Sequence, residues 1–389
     1  QRAGYYTAAC GHYERWRNLD RGYCEQTSYQ NPGLLAKLTA QTFSMGRSDV
    51  GWSSGAVPIP AEEGLSAALT NRSFEILDNI KATKAPFFFM LSYQDPHPPY
   101  FVPTPYDTMV DPAAIDMPPT GDDCGRPDWQ FKAMEESATA KAWEMDIRKL
   151  IATYYGMIAY ANDQMQRLYH GMAERGMLEN TWFIVTSDHG DYAGEKGLFN
   201  KTESVYECLL HVPLIIRPPD HIHGPRGQTV QHLVDLTDIF STICGITNVK
   251  APDYVQGYDL VNWVNDGANT PLRDCVFAQV GDYHGHLGTT FPIGMPKSGR
   301  HATLVQGGRT MEFSYARDPD NGDEAYDLRS DPHELNNLLN PSNRCQQKGI
   351  DKLRKRVDQW EAQCIDLREK LGVVRGERRH TEPREIVTR

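Results

Sequence analysis

No stretch of this chain approaches the ~20 consecutive apolar residues that a membrane-spanning helix requires, which excludes a helical membrane span. Positive charge is in short supply. Forty Lys and Arg stand against 51 Asp and Glu, a formal net charge of -11. That balance argues against a nucleic-acid partner, which would favour a basic surface. It leaves room for a locally cationic pocket that takes a small anion. The eight cysteines contain no Cys-x-x-Cys pair and no zinc-like spacing, so they do not read as a disulfide framework. Internal repeats and low-complexity tracts are absent. So are an initiator methionine and a signal-peptide pattern: the chain opens Gln1-Arg2-Ala3-Gly4-Tyr5, and the expectation is that processing or truncation has removed something. Sequons occur at Asn71 and Asn200. A glycan on Asn200 would crowd Lys201, which disfavours a glycosylating compartment and leans the location toward the cytoplasm, with the periplasm as the alternative.

What is present is ordinary for a soluble globular protein, with 40% hydrophobic and 23% charged residues. A length of 389 residues suits one large domain, or a large domain with a smaller one. Leu65, Leu69, Ile76 and Ile80 follow helical spacing and lead into Pro86-Phe-Phe-Phe-Met-Leu-Ser-Tyr93, which predicts a buried strand. Prolines then force an extended loop, Gln94-Asp-Pro-His97-Pro-Pro-Tyr100, and a Pro-, Gly- and Asp-rich surface excursion follows over 103–128. A long helix is predicted over about 140–175, carrying Trp143, Ile147, Ile151, Ile158 and Leu168. Pro213–Arg217 reads as a short buried strand and Leu236–Ile246 as a helix. Strands alternating with helices predict an α/β fold with a mostly parallel sheet covered by helices.

The last quarter changes character. Short β-like segments at 302–305, 310–315 and 324–328 predict a small antiparallel sheet. Beyond it Ile350, Leu353, Val357, Trp360, Cys364, Leu367 and Leu371 repeat at steps of three and four, an a/d seam of about three heptads. The plainer reading packs this helix on its own sheet; the other makes the helix and the tail after Gly372 a homo-oligomer contact. The domain expectation is an α/β domain over 1–295, a C-terminal α+β subdomain over 296–372 and a tail over 373–389.

The chemistry concentrates in Thr181-Trp-Phe-Ile-Val-Thr-Ser-Asp188-His189-Gly190-Asp191, followed by Lys201. An apolar, β-branched run ending in Asp-His-Gly delivers two ligand-type side chains to the C-terminal edge of a strand, where open α/β sheets bind ligands. Asp188 and His189 would point to opposite faces of a regular strand, but past its end both can reach one ion. Carboxylate plus imidazole suits Mn2+ or Zn2+; Ca2+ tolerates the carboxylate better than the nitrogen. Lys201, behind the Gly-rich loop 194–200, is placed to hold an anion, although a solvated lysine is the commoner role. His97, at the end of the other predicted strand, is a candidate partner of the same site. Three further candidates weigh less. Gly51-Trp-Ser53-Ser-Gly55 fits a hydrolase elbow but lacks a strand before it and a helix after it. His221-x-His223 and His284-x-His286 lie in polar, Gly-rich loops and read as surface histidines, with the second pair a candidate substrate-loop element.

The segment Thr-Ser-Asp188-His189-Gly-Asp, with Gly194-Glu-Lys-Gly-Leu, Lys201, Tyr206-Glu207 and Val212-Pro-Leu-Ile-Ile216, resembles the central signature of the sulfatase family in the alkaline phosphatase superfamily. Asp95-Pro-His97-Pro-Pro-Tyr resembles that family's histidine loop. Gly4-Tyr-Tyr-Thr-Ala-Ala-Cys-Gly11 resembles the start of its second signature, and Ala325-Tyr-Asp-Leu-Arg-Ser-Asp-Pro-His-Glu-Leu-Asn-Asn-Leu338 its C-terminal motif. The resemblance implies an alkaline-phosphatase-like α/β fold and one divalent cation, Ca2+ by family analogy, with Asp188 and His189 among its ligands. It implies that Lys201 and His97 contact the sulfate, and that the nucleophile is a cysteine converted to formylglycine. The hydrate of that group attacks sulfur and then expels sulfate by collapsing to the aldehyde. Two departures stand out. No Cys-x-Pro/Ser/Ala-x-Arg surrounds any cysteine, and Asp122-Asp123 reads as a turn, so the nucleophile and further metal ligands are expected upstream of Gln1. The second signature usually continues Gly-Lys-x-His, whereas here it runs Gly11-His12-Tyr13-Glu14; His12 can donate to an anion, an ionised Glu14 cannot. The expected function is hydrolysis of sulfate esters, with a lean to sulfated carbohydrate and with the loops 100–128 and 282–295 setting the substrate. The alternatives are a phosphonate monoester or phosphodiester hydrolase, or an inactive fragment or binding protein.

Overall fold

The computed structural model describes residues 3–11, 25–28, 47–48, 51–52, 54–121, 127–130, 144–201, 204–280, 305–319, 321–339 and 347–371. In chain order the strands are β1 (Tyr6–Gly11), β2 (Glu25–Ser28), β3 (Arg47–Ser48), β4 (Gly51–Trp52), β5 (Ser54–Val57), β6 (Phe87–Ser92), β7 (Tyr100–Pro103), β8 (Phe183–Thr186) and β9 (Leu214–Arg217), followed by β10 (Val276–Val280), β11 (Val305–Arg309), β12 (Phe313–Arg317) and β13 (Glu324–Asp327). The helices are α1 (Leu65–Thr83), α2 (Glu144–Glu174), α3 (Glu207–Leu210), α4 (Thr237–Thr247), α5 (Val261–Asn265) and α6 (Gln347–Lys370).

β1 lies between β2 and β6, parallel to both. Side chains on a strand alternate between faces, and here Ala8 and Cys10 with Phe87, Phe89 and Leu91 share one face. Onto it α1 lays Leu69, Ile76, Leu77 and Ile80, and α2 adds Leu168 and Met172. At the C-terminal end of the pair the backbones close up. A Cβ on Gly11 would sit 1.9 Å from the Ser92 carbonyl oxygen, so only glycine fits where the chain enters the His12 segment. A second parallel pair, β5 with β7, packs with Ile151, Met157 and Tyr160 of α2. β8 pairs antiparallel with β9, Phe183 opposite Arg217 and Thr186 opposite Leu214.

Three expectations shift. β6, β8 and β9 are half-buried rather than buried, and Ile215 on β9 is 60% exposed. An apolar run marks a strand but not what covers it. The strand predicted near 310 begins later, at Phe313, because Thr310 turns the chain there: its N–H donates to the Phe313 carbonyl, while residues 302–304 lie outside the described residues. And the C-terminal antiparallel sheet, ordered β10-β11-β12-β13, takes its first strand from ahead of residue 296, through a pairing too distant in sequence for composition to reveal. α6 crosses this sheet and buries Ile350, Leu353 and Val357 against Tyr315, Ala325 and Cys275. Each such side chain contributes roughly 1.5–3 kcal/mol by leaving water. The helix does pack on its own subdomain. No helix among the described residues is long and apolar enough to cross a membrane, and among the described cysteines 208, 244, 275 and 364 are free thiols.

Candidate metal and anion site

The chain leaves β8 at Thr186 and turns at once. Gly190 permits the turn: a Cβ there would lie 1.9 Å from the Cys208 carbonyl oxygen, while its N–H donates to Leu209 at 2.8 Å. The turn leaves the Asp188 side chain 86% exposed and that of His189 33% exposed, with Oδ2 and Nε2 3.6 Å apart. His189 Nδ1 stands 2.8 Å from the Gly190 carbonyl oxygen. A carbonyl only accepts, so Nδ1 carries the hydrogen, which in the neutral ring leaves the lone pair on Nε2, the tautomer a metal ligand needs. A carboxylate and an imidazole lone pair side by side fit two corners of a divalent-cation site. Among the described residues no group of three or more His, Cys, Asp or Glu could hold a metal ion, so the pair fits as part of a site.

The histidine loop repeats the same device. His97 Nδ1 donates to the Pro98 carbonyl at 2.5 Å, and Nε2 faces Lys201 Nζ across 3.5 Å. Lys201 is exposed at the end of a loop that five left-handed residues shape: Ala193, Gly194, Lys196, Gly197 and Asn200. Tyr192 N–H donates to the Asn200 carbonyl at 2.9 Å and closes it. Inside, the Asp191 carboxylate accepts from Tyr100 Oη at 2.9 Å, Ala193 N at 2.8 Å and Asn200 N at 2.9 Å. Burial pushes the Asp191 carboxyl up from the usual range, against those hydrogen bonds and the Lys201 charge. Lys196 is 1% exposed and donates to the carbonyls of His333 and Glu334. Burial pushes its ammonium down, and Glu334 pulls it back.

The structure thus brings His97 and Lys201 together and ties their loops, through Tyr100 and Asn200, to Asp191, two residues past His189. His12, Ser53, Asp122, Asp123, His284 and His286 lie outside the described residues. His221 and His223 are exposed in the loop after β9, as surface histidines are. The elbow context fails as read, since Ser54 continues directly into β5. Three residues that organise the site, Asp191, Tyr100 and Lys196, were not singled out from the sequence. Their signal was position alone, inside or beside the motifs.

The Sulfatase family model matches residues 1–249. The chain belongs to the sulfatase family. A second model, N-sulphoglucosamine sulphohydrolase, C-terminal, matches residues 194–363. An arylsulfatase of Clostridium perfringens is 28% identical over 290 residues, 74% of this chain and 56% of that protein. Arylsulfatase K of Xenopus laevis is 28% identical over 236 residues, 59% of this chain and 41% of its own length. This sulfatase chain therefore spans about half the length of those relatives. Its fold is shared with the phosphonate monoester hydrolase of Agrobacterium radiobacter, at a TM-score of 0.69 and 22% identity over 95% of this chain and 79% of that one. It is shared also with a protein solved with its substrate D-glucosamine-2-N,6-O-disulfate, at a TM-score of 0.71 and 18% identity over 94% and 81% of the two chains. At such identities these neighbours establish the alkaline-phosphatase-like α/β fold with its C-terminal subdomain.

Proposed function

We propose that the full-length protein hydrolyses sulfate esters, with sulfated carbohydrate as the substrate class and one divalent cation as cofactor. The observation that carries this reading is the approach of Lys201 Nζ to His97 Nε2, 3.5 Å across two loops from different strands, with Asp191, two residues past His189, accepting from the N–H of Asn200 next to Lys201. A sulfate ester in transfer spreads negative charge over its oxygens and the departing oxygen, and cationic donors fixed in advance stabilise that charge. Lys201 binds a sulfate oxygen; His97, once protonated, donates to the leaving oxygen; His12 is a further donor to the anion. Asp188 and His189 hold the cation, Ca2+ by family analogy with Mn2+ or Zn2+ suited to the imidazole, and the cation supplies charge neutralisation and orientation. The formylglycine nucleophile and the remaining ligands come from outside these 389 residues, which contain no Cys-x-Pro-x-Arg. The carbohydrate class is supported by the match to the N-sulphoglucosamine sulphohydrolase model and by the fold neighbour bound to a glucosamine disulfate.

The test is turnover of 4-nitrophenyl sulfate, glucosamine sulfates and a phenylphosphonate ester by full-length protein. Lys201→Ala lowers turnover by about 10²-fold, the scale of a transition-state charge contact; unchanged turnover removes Lys201 from the site. Asp188→Asn lowers bound metal by elemental analysis, and full occupancy contradicts its ligand role. The second reading, a phosphonate monoester or phosphodiester hydrolase, is favoured by fold neighbours that include phosphonate monoester hydrolases, at TM-scores of 0.69 and 0.70. Preference for the phosphonate ester selects it.

A further inference from the structure

The three loops of the site meet at one carboxylate. Asp191 follows His189 by a single glycine, so it belongs to the metal-ligand turn. Its Oδ2 accepts from the hydroxyl of Tyr100, the residue that ends the His97 loop. Its Oδ1 accepts from the N–H of Asn200, the residue immediately before Lys201. The Tyr100 hydroxyl in turn accepts from the same Asn200 N–H at 3.2 Å, closing a triangle among the loops.

A turn that merely closed on itself would need the Ala193 contact alone. The other two partners lie 9 and 91 residues away in sequence, which is the signature of a tie between separate segments. Both backbone donors belong to left-handed residues, Ala193 at φ 45° and Asn200 at φ 62°. Side chains disfavour that region, so these residues persist there because the surroundings hold them. A carboxylate that accepts both N–H groups supplies the hold. It fixes the direction in which the chain leaves Asn200, and so where the long, exposed Lys201 side chain begins.

We propose that Asp191 is a positioning residue: its carboxylate sets the placement of Lys201 relative to His97, and through it the affinity of the site for a tetrahedral oxyanion of the sulfate type. The proposal rests on reading Lys201 and His97 as the anion-holding pair. Asparagine at 191 keeps the size but loses one acceptor, since its amide nitrogen can only donate. Phenylalanine at 100 removes the hydroxyl, and with it the acceptor of one Asn200 contact, but leaves both N–H contacts to the Asp191 carboxylate intact.

The experiment is calorimetric titration of full-length protein with sodium sulfate, in a cycle of wild type, Asp191→Asn, Lys201→Ala and the double variant, with Tyr100→Phe as a milder arm. Residues acting through one network are non-additive. On that basis Asp191→Asn weakens sulfate binding about 10-fold in the wild-type background and less than about 2-fold once Lys201 is gone. Tyr100→Phe weakens it about 3-fold and likewise loses its effect in Lys201→Ala, which keeps the cycle readable should Asp191→Asn fail to fold. An equal loss in both backgrounds marks Asp191 as a fold-stabilising residue and overturns the proposal. Sulfate binding that needs Lys201 but ignores Asp191 overturns this proposal alone. Binding that ignores Lys201 overturns the anion-site reading and this proposal with it.

Discussion

Asp95 lies two residues before His97 and meets different company from Asp191. Its carboxylate accepts from the Ser66 hydroxyl, and burial, the larger influence, pushes its pKa up from the ordinary aspartate range to about 6. The sign of the consequence follows from which state holds the proton. Between about pH 4 and 6 the folded protein keeps a proton on Asp95 that the unfolded chain has released. The stability Asp95 contributes is therefore present at low pH and lost as pH rises through that window, by about 2–3 kcal/mol at 1.36 kcal/mol per unit. Asp95→Asn, a neutral copy of the protonated acid, should match wild type near pH 4 and exceed it by that amount at pH 7.5. Denaturant titration at the two pH values measures this, and a difference that does not change with pH contradicts it. The contrast shows what a sequence discloses at this scale. Asp188 and His189 were legible because a strand pattern ends on them and a glycine follows. Asp95 and Asp191 sit in turns without periodicity, and nothing along the chain separates a solvated carboxylate from one buried under a neighbouring loop.

At the scale of elements, hydrophobic spacing located helices to within a few residues and was silent on what they meet. The α6 seam shows why. Ile350, Leu353 and Val357 are buried to 1%, 2% and 0% exposure, yet Leu371 at the same seam is 42% exposed. A helix of 24 residues runs about 36 Å, whereas four strands side by side span only about 15–20 Å. The helix outruns the sheet. Trp360 marks the margin, its ring stacked on Phe277 at 5.2 Å and its Nε1 donating to Gln256 at 3.4 Å. In α2 the apolar pattern likewise includes Ile158, which is 42% exposed, while Gly156 faces the backbone of Tyr106, where a Cβ would come within 2.1 Å of the carbonyl oxygen. The sequence pattern belongs to one segment; burial belongs to two.

At the scale of the whole molecule, the 191–201 loop and the C-terminal sheet share one polar interior. Lys196, in the middle of the loop, donates to two carbonyls of the segment after β13 and lies over the Tyr206 ring at 4.3 Å. From that segment Glu334 accepts from Arg309 of β11 at 3.0 Å, Ser314 of β12 at 2.7 Å and the Glu207 N–H of α3 at 2.7 Å. Glu324 of β13 accepts from Trp129 at 2.9 Å and from the Tyr206 hydroxyl. Buried groups bonded this way are costly to leave unmatched, so the subdomain and the loop should open together. Lys196→Met keeps the aliphatic stem but orphans two carbonyls, which at charge-assisted strength lowers unfolding free energy by about 2–4 kcal/mol. Hydrogen exchange reads whether that loss is shared. Amides of the 191–201 loop and of β11 to β13 should lose protection together in the variant, because both sides lose the same ammonium. Faster exchange confined to the loop would mean that the C-terminal sheet stands independently. In that case the position of Lys201 would be fixed by Asp191 and Tyr100 from within the α/β domain, with no part played by the subdomain.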